Sequence, residues 1–113
     1  MTSQGTAHGR FTRAIKTRNL WAAELALREI GNPSLLDALD YLDLLAETRP
    51  EKLEAAAIRW HGRLEIEARA MTIVESQLAL AALASLCAGE RGAVEILRRL
   101  LRRVGPTLAR PVS

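Results

Sequence analysis

The stretch "TIVESQLALAALASLCAG", from Thr72 to Gly89, decides most about the fold. It opens on Thr72 with Glu75 three residues later, which is the capping-box signature of a helix N-terminus. From Leu78 onward the stretch is apolar on nearly all sides, and a helix of this kind is expected in the centre of a domain. The run is too short to span a bilayer, which needs about 20 residues. The stretch therefore predicts a buried helix with Cys87 as a buried, unreactive thiol inside it.

The rest of the chain shares the same helical character. Of 113 residues, 49% are hydrophobic and only 4% aromatic, and Ala and Leu make up most of the hydrophobic share. This composition predicts one globular, helical domain without strands. The net charge of +3 permits an acidic partner without requiring one. The single cysteine excludes an intrachain disulfide, and together with the polar N-terminus, which predicts no signal peptide, it favours a cytoplasmic location.

Cap and turn signals divide the chain into about five to six helices. Asn19 and Ser34 suit N-caps, Gly31 suits a helix stop, and Pro50 suits a first turn. The predicted helices cover roughly residues 8–17, 19–31, 35–48, 50–70, 72–88 and 93–104. Short turns favour antiparallel hairpins, so we expect an all-α compact bundle over residues 9–104, with a short α-solenoid as the alternative. Residues 1–8 and 105–113 are predicted to be flexible tails.

Two helices carry opposite charges on their outer sides. Leucines line one side of the third helix, and its other side carries the acidic face Asp37, Asp40, Asp43 and Glu47. The last helix, with Arg91 before it, carries the basic face Arg91, Arg98, Arg99, Arg102 and Arg103. Such arginines can bind an acidic protein surface or nucleic-acid phosphates, although no aromatic residue is interleaved to stack bases. Plain solvation is the alternative for both faces, and the acidic face lacks the His or Cys of a metal site, so we expect no metal or cofactor.

The stretch "IRWHGRLEIEAR", residues 58–69, mixes chemistries within one predicted helix. A helical projection places Trp60 in the core, where its indole N–H needs a partner, and lets Arg63 pair with Glu67 along the edge. His61 falls on the other flank, which favours a packing seam over a pocket with a histidine base. Gly62 lies on the outer side, in line with Ile58 and Ile66. Because glycine weakens a helix interior, Gly62 predicts a close contact there with the sixth helix, the first helix or another subunit.

Two segments carry a family resemblance: "RNLWAAELALREIGNPSLLDALDYLDLLAE", residues 18–47, and "AAAIRWHGRLEIEARAMTIVESQLALAALASL", residues 55–86. Their order of motifs resembles an uncharacterised family of small all-helical actinobacterial proteins. The resemblance covers about residues 11–101 and leaves out the two tails. It implies an α-helical cytoplasmic protein and supplies neither an activity nor catalytic residues.

The sequence contains no nucleophile–base set, no metal-ligand spacing and no glycine-rich phosphate loop, so we do not expect an enzyme. We expect a protein-interaction or scaffold module that binds a protein partner or a second copy of itself, by pairing the acidic and basic faces between copies. The alternative is a nucleic-acid-associated protein that uses the arginines of the last helix. No association with a membrane is expected.

Overall fold

The described part of the chain forms six α-helices. The structure, a computed structural model, describes residues 6–109. The helices are α1 (Ala7–Lys16), α2 (Leu20–Ile30), α3 (Leu35–Thr48), α4 (Leu53–Glu67), α5 (Ile73–Cys87) and α6 (Ala93–Ala109), and a 3₁₀ turn over Pro50–Lys52 precedes α4. No strand occurs in this part of the chain, so the all-α prediction is confirmed.

The predicted helix starts are confirmed by their hydrogen bonds. The side chains of Asn19 and Ser34 each accept a backbone N–H of the first turn, from Ala22 at 3.1 Å and from Asp37 at 3.0 Å. Thr72 and Glu75 form the complete capping box of α5. At the end of α2, Gly31 has a φ of 81°, a left-handed conformation that suits glycine. These local signals depend on few neighbours, which is why the sequence reveals them.

Helices α3 to α6 enclose the larger core. Its fully buried side chains include Leu39 and Leu42 of α3, Leu64 of α4 and Leu97 of α6. Trp60 is buried among them, and its indole N–H donates to the carbonyl oxygen of Leu35 at 2.9 Å. The core position predicted for Trp60 is thereby confirmed, together with the partner that its N–H requires.

Helices α1 and α2 form a hairpin with a smaller core of its own. Phe11 and Ala14 of α1 pack with Ala23 and Ala26 of α2 against Leu44, which reaches out from α3. Helix α3 therefore contributes to both cores. Helices α3, α4, α5 and α6 each pack against the next one along the chain, and α6 also packs against α3, so these four helices form a closed bundle. In an α-solenoid each unit would contact only its neighbours, so the compact bundle is the architecture observed.

Some boundaries differ from the predicted ones. Helix α4 begins after Pro50 and ends at Glu67, short of the predicted Ala70. Helix α6 runs to Ala109, past Gly105 and Pro106, so the glycine and proline that predicted its end do not end it, although the proline removes one helical hydrogen bond. The predicted tails over 1–8 and 105–113 are therefore partly helical, and residues 1–5 and 110–113 lie outside the described part. Among the helices of residues 6–109, none is both long and apolar enough to cross a membrane.

Candidate functional site

The acidic and basic faces meet inside the chain. Arg98 of α6 donates to Asp40 of α3 at 2.8 Å, and Arg91 donates to Asp43 at 2.9 Å. Arg91 also lies 3.7 Å from Glu47. These contacts join α3 to α6 and its preceding turn. The pairing expected between two copies is thus made within one copy for these residues.

Arg18 is a cation of this network that sequence analysis missed. It lies between α1 and α2 with a φ of 54°, a left-handed conformation uncommon outside glycine. Its guanidinium donates to Glu47 at 2.8 Å and to Asp43 at 3.4 Å. The turn at Arg18 thereby ties the α1–α2 hairpin to α3. Asp37, the remaining member of the acidic face, lies 3.0 Å from His8. Only the tertiary fold brings these pairs together, so no sequence spacing identifies them.

The other arginines of the basic face divide into two kinds. Arg103 donates to Glu75 of α5, with one of its two contacts at 2.8 Å. The hydrogen bonds from Arg103 and from the Thr72 backbone lower the pKa of Glu75 to about 2. Arg99 and Arg102 are 75% and 65% exposed at their side chains, and both lie near Glu95 of their own helix, at 3.8 and 3.2 Å. Only these two arginines of the basic face lack a contact to a carboxylate of another helix among the pairs that the structure describes.

The α4 seam has the predicted edge pair. Arg63 donates to Glu67 at 2.8 and 3.3 Å, as the spacing of four residues predicts. His61 lies on the other flank, with its Nε2 atom 3.3 Å from Glu65. That nitrogen is buried, and the Glu65 contact lacks hydrogen-bond geometry, so Nε2 has no hydrogen-bond partner among the described residues. His61 and Glu67 are therefore not brought together, and the pair does not form an acid–base site.

The prediction that α1 or α6 makes a close contact with Gly62 is wrong. A Cβ atom built at Gly62 would meet nothing within 4 Å. Ile58 and Ile66, in line with it, are both exposed. Nothing in residues 6–109 lies against Gly62 on the outer side of α4, so no packing in this part of the chain requires a glycine there. A contact with another subunit stays a prediction.

Helix α5 does not lie at the centre of the domain. Only one stripe of it is buried, formed by Ala79, Ala82, Leu83 and Leu86. On the opposite side Ile73 is 80% exposed and Leu80 is 55% exposed. The physical reason is the shape of the molecule, which measures 44 × 39 × 19 Å. A slab 19 Å thick holds two layers of helices, each about 10 Å wide, so every helix has an outward side.

The exposed side of α5 forms a continuous uncharged surface. We define the α5 outer face by seven exposed residues on this side of the helix: Ile73, Gln77, Leu80, Ala81, Ala84, Cys87 and Ala88. No acidic or basic residue occurs from Ser76 to Gly89. Water-facing helical sides are normally charged or polar, and Gln77 is the one strongly polar member here. Large exposed apolar patches on proteins often mark interaction sites, so the α5 outer face is the candidate site of this chain.

Cys87 belongs to this surface, so the expected buried thiol is wrong. The residue is exposed, at the end of α5. Partial burial of the thiol raises its pKa, and the nearby Glu54 carboxylate raises it further. The thiol is therefore protonated at neutral pH and is a weak nucleophile, which agrees with the expected low reactivity for a different reason.

Helices α4 and α5 run antiparallel along this side of the molecule. Ser76, in the first turn of α5, donates a hydrogen bond to Glu65, near the end of α4. At the other end of the two helices, the Glu54 carboxylate of α4 raises the pKa of the Cys87 thiol of α5. Ile58 lies one turn after Glu54, so it extends the α5 outer face onto α4.

A second exposed apolar pair is smaller. Trp21 and Leu25 are exposed one turn apart on α2. Arg28 and Glu29 lie on the same side of that helix, so charges interrupt the apolar surface. The α5 outer face is the larger uncharged surface of the two.

No metal centre is formed by residues 6–109, since they place no three His, Cys, Asp or Glu side chains around a common point. No family model matches the chain, and neither a curated protein nor a solved structure is significantly similar to it.

Proposed function

We propose that this chain is a non-enzymatic protein-interaction module that binds through the α5 outer face. The observation that carries the proposal is the exposure of Ile73 and Leu80 on a helix that has no charge from Ser76 to Gly89. Interfaces between proteins have centres depleted in charged residues. A cytoplasmic setting agrees with the single cysteine.

The energetics of apolar surface support this proposal. Each square ångström of apolar surface removed from water contributes about 25 cal/mol. On the α5 outer face, Ile73 is 80% exposed and Leu80 is 55% exposed, so both keep most of their apolar surface in water in the isolated chain. Binding a partner there stabilises the complex, whereas the exposed face contributes nothing to the fold of the isolated chain.

The chemistry of the remaining candidates also favours binding over catalysis. The thiol of Cys87 has a raised pKa, so it lacks the activation that a nucleophilic cysteine needs. His61 lies beside Glu65, whereas Glu67 is held by Arg63. The histidine and the Arg63–Glu67 pair thus lie on different flanks of α4, which disfavours a shared reaction centre.

The experiment is site-specific photo-cross-linking in the cells that make the protein. A photoreactive amino acid replaces Gln77 in the middle of the α5 outer face, and a matched variant carries it at Arg13, an exposed position on α1. We expect a discrete cross-linked band for position 77 and none for position 13. Absence of a band at 77, or equal cross-linking from both positions, would contradict the proposed function.

The second candidate function is association with nucleic acid through Arg99 and Arg102. The observation that favours it is their exposure, with no carboxylate of another helix among the described residues in contact with them. Two phosphate contacts predict a shallow salt dependence, with a slope of about −2 in log affinity against log salt on duplex DNA. Binding at low salt that Arg99→Gln with Arg102→Gln abolishes would support this candidate. No binding at low salt would end it.

A further inference from the structure

We infer that the α5 outer face is covered by a second copy of this chain, with the two α5 helices packed antiparallel about a two-fold axis. The inference rests on the proposed function, since it names the partner of the same surface. It replaces the expected pairing of acidic and basic faces between copies. Arg91 and Arg98 of the basic face already contact Asp43 and Asp40 inside one chain.

The sizes of the side chains make the α5 outer face complementary to itself. Its first half carries the large residues Ile73, Gln77 and Leu80, and its second half carries the small residues Ala81, Ala84, Cys87 and Ala88. Antiparallel packing places the large half of one helix on the small half of the other, so the layer between them has an even thickness. Parallel packing would place large residues on large and leave a gap between the small ones.

The helical repeat gives the register of this packing. With the two-fold axis near Leu80, residues whose numbers sum to about 160 lie at the same level of the two helices. Ile73 then faces the partner's Cys87, and Gln77 faces the partner's Ala84. Each pair lies on the same side of the helix, as a two-fold interface requires.

The distribution of charge agrees with this arrangement. The centre of the interface contains no charge, so no like charges are brought together. Glu54 lies at the Cys87 end of α5, and Glu65 lies at the other end beside Ser76. These carboxylates therefore stand at the rim of the surface and not at its centre, as is usual for protein interfaces.

The exposure of the large side chains also suits a dimer. Ile73 is 80% exposed, Leu80 is 55% exposed and Ile58, on the adjoining edge of α4, is 66% exposed. A standard interface buries about 800 Å² per partner, so these side chains form the centre of an interface that residues around them complete. A second copy therefore covers Ile73, Leu80 and Ile58, whereas Ile66 lies outside the interface.

Disulfide trapping tests the register. In the antiparallel dimer the two native Cys87 residues lie roughly 20 Å apart, too far for a disulfide. We expect the wild-type chain to give no covalent dimer under mild oxidation, and Ile73→Cys, with native Cys87 present, to give one. Two controls remain uncross-linked: Ile73→Cys combined with Cys87→Ser, and Ile66→Cys, which replaces an isoleucine that is 75% exposed on the outer side of α4. A Cys87–Cys87 dimer of the wild-type chain, or no dimer of Ile73→Cys, would overturn the antiparallel packing.

Sedimentation equilibrium over a concentration series tests the dimer itself. We expect a monomer–dimer equilibrium for the wild-type chain, and a dissociation constant raised at least about tenfold by Ala84→Arg, which buries an unpaired charge. Ala55→Arg places the same change at an exposed alanine on the outer side of α4 and is expected to leave the constant within about twofold. A wild-type monomer at every concentration overturns the inference, as does a dimer that Ala84→Arg leaves intact. If position 77 then cross-links to a different protein, the proposed function stands and only the identity of the partner is wrong.

Discussion

At the scale of single residues, the seam of α4 separates what a helical projection reveals from what it does not. The core position of Trp60 and the pair between Arg63 and Glu67 follow from spacings of three and four residues, so the sequence predicts them. The surroundings of Gly62 do not follow, because they depend on which helices pass outside α4. A glycine in a helix indicates a close neighbour only where the fold provides one, and here the space is open.

Gly62 gives the first prediction. Gly62→Ala is expected to stabilise the chain by about 0.5–1 kcal/mol, because alanine favours the helix and its Cβ meets nothing within 4 Å. Gly31→Ala is the matched control and is expected to destabilise, since Gly31 has a φ of 81°. Urea denaturation measures both changes. Destabilisation by Gly62→Ala would indicate a neighbour that presses on α4.

Trp60 gives the second prediction at this scale. Trp60→Phe removes the 2.9 Å hydrogen bond to the carbonyl of Leu35 and leaves a small cavity in the larger core. We expect a loss of roughly 1–3 kcal/mol in the free energy of unfolding. Thermal and urea denaturation check this value. An unchanged stability would mean that the indole is not held between α3 and α4.

At the scale of helices, the sequence predicts where a helix begins, but it does not predict which side of the helix is buried. The caps at Asn19, Ser34 and Thr72 are formed by neighbouring residues, and they appear where the sequence predicts them. The side on which α5 is buried cannot be read from its sequence, because a helix that is apolar all round has no preferred side. The ion pairs between α3 and α6 also require the tertiary fold, since Asp40 and Arg98 are far apart in the chain.

The α3–α6 pairing predicts a charge-swap result. Asp40→Arg and Arg98→Asp are each expected to destabilise, since each places two like charges together between α3 and α6. Combining them restores the attraction, with a coupling of about 0.5–1 kcal/mol for a pair that is partly exposed. A double-mutant cycle in urea measures it. If the stability losses of the two single variants simply add in the double variant, the two side chains are not in contact.

The contact between α5 and α6 predicts a pH dependence. The pKa of Glu75 is lowered from its ordinary 4.5 to about 2, chiefly by the hydrogen bond from Arg103. A carboxyl group with a lowered folded-state pKa stabilises the fold fully above its unfolded-state pKa, and this contribution is lost as the pH falls from about 4.5 to about 2. Glu75→Gln keeps a side chain that suits the cap but loses the charge. Its melting temperature is therefore expected to fall less steeply than that of the wild-type chain over this range. Parallel curves would show that Arg103 does not hold Glu75.

At the scale of the whole molecule, the thickness of 19 Å explains why one side of α5 is exposed. Over residues 6–109, six short helices in two layers leave no helix surrounded on all sides. The uncharged face from Ser76 to Gly89 is therefore exposed in the single chain, and a second copy on that face would complete its burial. Asp40 and Asp43 of α3 pair with Arg98 and Arg91 inside the chain, so we propose α5 and not α3 as the surface for association.

Amide chemical shifts recorded over a concentration series test this arrangement most directly, because they report on every helix at once. We expect concentration-dependent shifts on α5 and on the Ile58 edge of α4, and constant shifts on α1 and α2. Shifts that stay constant throughout, or that change around Arg99 and Arg102 instead of α5, would contradict self-association through the α5 outer face.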